Sequence, residues 1–202
     1  MANWASTSYV IEGPTETLDR IYKAIENPTV FEGSKNWEGN VLKTLGFEWE
    51  PHKMDQEGDT IKFSGHYMRG FIEEFYWNND EKDSIRINAE EAWGRTDFAD
   101  VLMENIEDIH IYWIVEEPGC EVYATNDSTG KYFPERFWVD TAQDDVYDSE
   151  YFTTEEEMYE WLNEKYGVKT KEEVDAWNQD YEATGDDCEN FIYIHEFEIL
   201  DD

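Results

Sequence analysis

The pattern of apolar and polar positions divides the chain into short elements. Ser8–Gly13 (Ser-Tyr-Val-Ile-Glu-Gly) reads as a strand. Pro14-Thr15 then opens a helix, with Gly13 or Thr15 near its cap and Glu16 in its first turn. Leu18, Ile21, Tyr22 and Ile25 recur at helical spacing, and Asn27-Pro28 stops the run. Residues 31–58 are less regular. Val41, Leu42 and Leu45 predict one or two helical turns ending at Gly46, flanked by Trp37, Phe47 and Trp49. Glu57-Gly-Asp59 signals a turn, Thr60–Tyr67 a strand, and Phe71–Trp77 a further extended piece that Asn78-Asn79-Asp80 closes. Ser84–Ala89 alternates as a strand running into Glu91-Ala92-Trp93, with Gly94 ending it. A helix from Thr96, as cap, to Asp108 carries Phe98, Val101, Leu102 and Ile106 inward. Ile109–Val115 is the strongest strand by β-branched content. Glu116-Glu-Pro-Gly119 turns it, and Glu121–Thr125 and Tyr132–Val139 read as two strands joined at Asn126–Gly130.

Beyond residue 140 the pattern predicts two helices. Thr154–Tyr166 has a Met158, Trp161, Leu162 stripe and a capping-box start in Thr153-Thr-Glu-Glu-Glu157. Lys171–Tyr181 carries Val174 and Trp177. Phe191–Leu200 alternates cleanly and is expected to return to the main sheet as a last strand. The order strand, helix, extended segment, strand, helix, strand predicts an α+β fold: a ferredoxin-like antiparallel sheet covered by helices, with an acidic helical extension and a returning C-terminal strand. One domain, 1–202, is expected, divided into a core over 1–140, an extension over 141–190 and a final strand over 191–200.

Composition changes this picture chiefly through charge. Fifty Asp and Glu against fifteen Lys and Arg give a formal net charge of −35 over 202 residues. Charge alone would suggest disorder, but 40% apolar and 16% aromatic residues can build a core that offsets the self-repulsion. The acidity is mostly Glu and the large aromatics are many, which argues against adaptation to high salt. A surface this negative disfavours direct contact with nucleic acid or anionic membrane and attracts basic surfaces. Cys120 and Cys188 lie far apart with no CxxC; a reducing, cytoplasmic setting is the simplest reading, and a disulfide between them stays open. Met1-Ala-Asn-Trp lacks the features of a signal peptide, and no apolar run approaches the roughly 18 residues of a membrane span.

Asn3-Trp4-Ala-Ser-Thr-Ser-Tyr-Val10-Ile-Glu-Gly13 followed by a helix, Glu91-Ala92-Trp93 at a strand end, and Glu116-Glu117-Pro118-Gly119 before a hairpin resemble a family of small phage- and plasmid-borne proteins with a ferredoxin-like domain. The resemblance covers about residues 1–140. It implies a fold and a mobile-element origin, and it supplies no catalytic residues.

The residues bear on several chemistries. The pairs Glu73-Glu74, Glu90-Glu91 and Glu116-Glu117 near strand ends, with Trp77, Trp93 and Trp113, suit acid/base work on a glycosidic bond only if carboxylates from different strands meet. Adjacent strand residues face opposite ways. His52, His66, His110 and His195 are scattered without metal-ligand spacing, and the last three are expected in strands. Asp144-Asp-Val-Tyr-Asp148 lacks the spacing and central Gly of a calcium loop. Cys120 has no basic neighbour to activate it. No phosphate-binding or nucleophile-elbow motif occurs. No cofactor and no metal site is therefore expected, and no catalytic residue is assigned.

The acidic segment points elsewhere. Residues 140–190 hold 18 acidic side chains against three Lys. B-DNA presents one charge per roughly 1.7 Å of axis, and carboxylates at helical spacing can imitate that track. The candidate partner-binding residues are Asp144, Asp145, Asp148, Glu155, Glu156, Glu157, Glu160, Glu164, Glu172, Glu173 and Asp175, with Tyr147, Tyr151, Tyr159 and Tyr181 as anchors. The leading expectation is a non-enzymatic protein that occupies a basic nucleic-acid-binding site on a host protein. Two alternatives remain open: a phage or plasmid assembly protein whose acidity only keeps it soluble, and a carbohydrate-active hydrolase.

Overall fold

The computed structural model describes residues 3–57, 60–78, 84–184 and 189–200. Its mixed α+β chain divides into two compact units, Met1–Val122 and Tyr123–Asp202.

The first unit is built on β1 (Trp4–Glu12), α1 (Thr15–Glu26), α2 (Glu38–Leu45), β2 (Lys53–Glu57), β3 (Thr60–Ser64), β4 (Gly70–Asn78), β5 (Ser84–Ala92), α3 (Phe98–Asn105) and β6 (His110–Glu117). Its main sheet runs β6-β1-β5-β4. Every neighbouring pair in that run is antiparallel. β2 and β3 form a separate hairpin. The helix α1 forms because Leu18, Ile21 and Ile25 fall on one face, and all three are buried, as is Ala24. Tyr22 lies at the edge of that face and meets Phe75 and Trp77 edge-on, with centroids 5.1 and 5.9 Å away. Val10, Ile11, Ile85, Ile87, Leu102 and Ile111 complete a core from which water is excluded. Gly46 ends α2 at φ 86°, the left-handed conformation that glycine adopts most readily.

The second unit contains β7 (Val122–Thr125), β8 (Phe137–Gln143), β9 (Val146–Phe152), α4 (Glu155–Tyr166), α5 (Lys171–Thr184), β10 (Phe191–Glu196) and β11 (Glu198–Ile199). β7 opens it at the boundary between the units. A three-stranded antiparallel sheet runs β10-β8-β9. Val139, Phe152 and Ile192 from the sheet pack with Met158 and Leu162 of α4, Val168 of the α4–α5 connection and Val174 of α5. Thr154 caps α4, its hydroxyl accepting from the Glu157 N–H, and Gly167 closes the helix at φ 74°.

The structure corrects several sequence expectations. The strand expected at Tyr132–Val139 begins only at Phe137, because the carboxylate of buried Asp127 gathers the preceding backbone into a loop. That carboxylate accepts from the N–H groups of Lys131, Tyr132 and Phe133 at 3.0, 2.6 and 3.0 Å. The acidic stretch after residue 143 is a hairpin strand, β9, reached through Asp144 and Asp145, both in the left-handed region at φ 52° and 63°. The expected final strand splits in two. β10 pairs with β8, and only Glu198 and Ile199 pair with β7, in parallel. Thr96 does not open a helix as a simple cap. Asp97 is the residue before α3, and Thr96 is buried beneath it. His66 stands outside the strands, in an isolated bridge with Pro51, whereas His110 and His195 lie in β6 and β10.

Candidate functional site

All eleven predicted partner-binding carboxylates are exposed, and all belong to the second unit. They fall into distinct settings. Asp144 and Asp145 form the β8–β9 turn, where Asp145 accepts from the Glu189 N–H at 2.8 Å and Asn190 accepts from the Asp144 N–H at 2.9 Å. Asp148 of β9 is ion-paired with Lys165 of α4, so its charge is largely cancelled. Glu157 holds the Thr153 hydroxyl at 2.6 Å, and that bond keeps its carboxyl below the ordinary range. Glu173 accepts from the Lys169 N–H at 2.6 Å at the start of α5. Glu172 is likewise held low, by a backbone hydrogen bond first and the Thr170 hydroxyl second.

The carboxylates that converge are those around Tyr159. This tyrosine and Glu155, Glu156, Glu160, Asn163 and Lys169 line an open depression of about 380 Å³. Burial raises the Tyr159 hydroxyl above its ordinary pKa, and Glu155, Glu172 and Asp175 raise it further, because a phenolate there would face three carboxylates. Negative charge from α4 and α5 therefore gathers at one place.

The anchors separate into two faces. Tyr159 is on the helical side. Tyr147 and Tyr151 alternate with Phe152, which points into the core, so they stand on the other side of the three-stranded sheet. Cross-strand register sets Trp138 between Tyr151 and His195, and Asp140 between Ser149 and Tyr193. His195 stacks on Tyr123 and Trp138 with centroids 4.4 and 5.0 Å away. Tyr147, Tyr151 and Tyr193 remain 58%, 44% and 54% exposed on this aromatic face. Only the backbone of Tyr181 is described, within α5.

The first unit holds a carboxylate pair of a different kind. Glu91, on β5, was one of the paired acids singled out in the sequence; its partner is Glu38, at the start of α2, which the sequence did not mark. Both are fully buried. The Thr96 hydroxyl lies between them, 2.7 Å from Glu38 Oε2 and 2.8 Å from Glu91 Oε1. Tyr9 donates to Glu91 at 2.7 Å, and Thr7 bonds its other oxygen. Burial lifts the Glu38 carboxyl well above its ordinary range, and the nearby Glu91 charge lifts it further, which favours the protonated form of Glu38. Glu38 Oε1 is buried and meets no hydrogen-bond partner. Space for the pair comes from Gly70, the register partner of Glu91, since a Cβ there would strike the Glu38 carboxylate.

The other acidic pairs do not assemble a site. Glu73 sits at a β-bulge, which leaves both Glu73 and Glu74 exposed. Glu90 is exposed on the face opposite Glu91. Glu117 is buried and accepts from the Gly119 N–H at 3.1 Å, while Glu116 is half-buried. Cys120 is a free, exposed thiol whose pKa is raised, first by its hydrogen bond to Glu117. Cys188 lies outside the described residues. Among the described residues no three His, Cys, Asp or Glu side chains are grouped to hold a metal, and no helix is long and apolar enough to cross a membrane.

Compared with protein-family models, with curated proteins and with solved structures, the chain matches none.

Proposed function

We propose that this protein acts by binding, without catalysis, and that its second unit occupies a basic nucleic-acid-binding groove on a partner protein. The observation that carries this reading is the depression that Tyr159 lines with Glu155, Glu156 and Glu160 of α4, on which Glu172 and Asp175 of α5 also act electrostatically. A coat serving only solubility is expected to spread its charges apart, since like charges repel. Here they concentrate beside an amphipathic side chain of the type that anchors interfaces. The aromatic sheet face offers further anchors in Tyr147 and Tyr151. Association driven in this way is fast and weakened by salt.

The first unit supports the companion proposal of a ferredoxin-like fold. Its strand–helix–strand–strand–helix–strand frame, sheet order β6-β1-β5-β4 and antiparallel pairing suit a split βαβ arrangement. The α2 helix and the β2–β3 hairpin are inserted into that frame.

The test is capture of partners from a bacterial lysate on immobilised protein, with duplex DNA as competitor, at about 0.1 M and about 1 M salt. The expected captives bind nucleic acid, are displaced by DNA and by salt, and are lost from the triple variant Glu155→Gln, Glu172→Gln, Asp175→Asn. Captives that persist in high salt, or that the triple variant retains, overturn the reading.

A further inference from the structure

The first unit contains a cavity of about 720 Å³, lined by Phe31, Trp37, Lys43, Trp49, His66 and Arg69 among others. We propose that it is a binding site for a small planar aromatic anion. The inference does not depend on the acidic face of the second unit.

Size and lining both suit a small molecule, since ligand pockets run to roughly 300–1,000 Å³ with aromatic walls and a few placed polar groups. Trp37 is fixed by its indole N–H, which donates to the Met68 carbonyl at 2.8 Å. Trp49 meets Trp37 edge-on at 6.2 Å. Together they offer rigid faces on which a ring can stack.

The sign of charge picks the ligand. In a chain with 50 Asp and Glu against 15 Lys and Arg, this wall carries Lys43 and Arg69. Its two acids, Glu32 and Glu48, are exposed. The Lys43 ammonium faces the rings of Trp37, Trp49 and Phe31 at 5.4, 5.7 and 5.8 Å. It makes no ion pair with the described carboxylates. Those rings hold it half-buried, where an anion can add a charge-assisted hydrogen bond that a ring face does not supply. Arg69 is exposed at the wall, 5.0 Å from the Trp93 ring and 5.8 Å from that of Trp4. A neutral aromatic would use the stacking faces and leave these groups unused. A cation would meet Lys43 head-on.

Two fluorescent probes separate the ring from the charge: 8-anilinonaphthalene-1-sulfonate and its uncharged counterpart, N-phenyl-1-naphthylamine. The long-range field of a −35 chain disfavours the anion everywhere else. Preference for it therefore reads the local cations. The expected result is one sulfonate probe per chain, bound at least about tenfold more tightly than the neutral probe. Lys43→Met should reduce that ratio to about twofold or less with an unchanged melting temperature, and the exposed change Arg69→Gln should reduce it in the same direction. Trp49→Leu should weaken both probes together. Equal or tighter binding of the neutral probe, no saturable binding of either, or a ratio unmoved in both cation variants overturns the proposal.

Discussion

Glu38 and Glu91 face each other across a single threonine hydroxyl, 2.7 Å from one carboxylate and 2.8 Å from the other, with no water-exposed surface on either. Two buried like charges at this range are untenable, and one proton resolves them. Because the folded state holds Glu38 protonated well above the ordinary Glu value of about 4.3, its contribution to stability is full below that value. The contribution declines as pH rises, because the unfolded chain gives up the proton and the fold does not. It is lost through the raised folded value. Glu38→Gln keeps a donor toward Glu91 without a titrating group. The melting temperature of the variant should match the parent near pH 5 and exceed it increasingly toward pH 8, since each pH unit is worth about 1.4 kcal/mol while the shift is open. Parallel profiles for the two proteins would show that Glu38 does not carry the proton.

Gly70 should be irreplaceable for a reason of space. Its backbone angle is unremarkable, but a methyl group would meet the Glu38 carboxylate and displace the pair. Overpacking of this kind costs about 1–3 kcal/mol. Gly70→Ala should lower the melting temperature by about 2–4 °C per kcal/mol in a chain of this size. Combining it with Glu38→Ala, which vacates the space, should cost less than the sum of the single changes, as a double-mutant cycle in thermal unfolding would register.

Asp127 organises the second unit's entry loop. Burial pushes its carboxyl upward, but the N–H groups of Tyr132, Phe133 and Lys131 and the Thr129 hydroxyl outweigh that and hold it low. The stability it supplies is thus present above the ordinary Asp value of about 3.9 and is lost as pH falls through the lowered folded value. Asp127→Asn, which discards acceptor capacity, should cost about 2 kcal/mol at neutral pH, and less as the solution approaches pH 3, by chemical denaturation across that range.

The Tyr159 hydroxyl reports the charge around it. Burial and then Glu155, Glu172 and Asp175 raise its pKa, so Glu155→Gln, Glu172→Gln and Asp175→Asn should each lower it. The absorbance titration of each variant, with Tyr159→Phe subtracted to isolate this one phenol, gives the size of each step. A titration curve unmoved by all three would mean the carboxylates do not surround it.

Periodicity made much of the fold legible. Leu18, Ile21 and Ile25 marked α1, the Ile109–Val115 run marked β6, and the capping-box run Thr153–Glu157 placed the start of α4 within one residue. What failed were elements whose burial comes from tertiary partners. β9, with Asp148 and Glu150 alternating against Tyr147 and Tyr151, looks like a solvated acidic stretch, yet it forms because β8 lies beside it and Phe152 anchors its end. Thr96 carries a capping residue's chemistry but spends its hydroxyl mainly on two carboxylates. The site was half visible. Glu91 stood out as one of an adjacent pair, but its true partner lies 53 positions away at a helix start, where an acid is ordinary. The small residue at Gly70 was the one local sign that something large had to fit opposite Glu91, and without register it reads only as a strand break.

The proton on Glu38 also alters the electrical bookkeeping of the whole molecule. The formal charge of −35 counts that carboxyl as ionised, so wherever the fold holds its proton the chain should migrate in an electric field as one unit less negative than its composition implies. Unfolding releases the proton to the solvent and restores that unit of negative charge to the chain. A charge ladder run on native and denatured protein would find the two states differing in mobility by that increment as well as by shape.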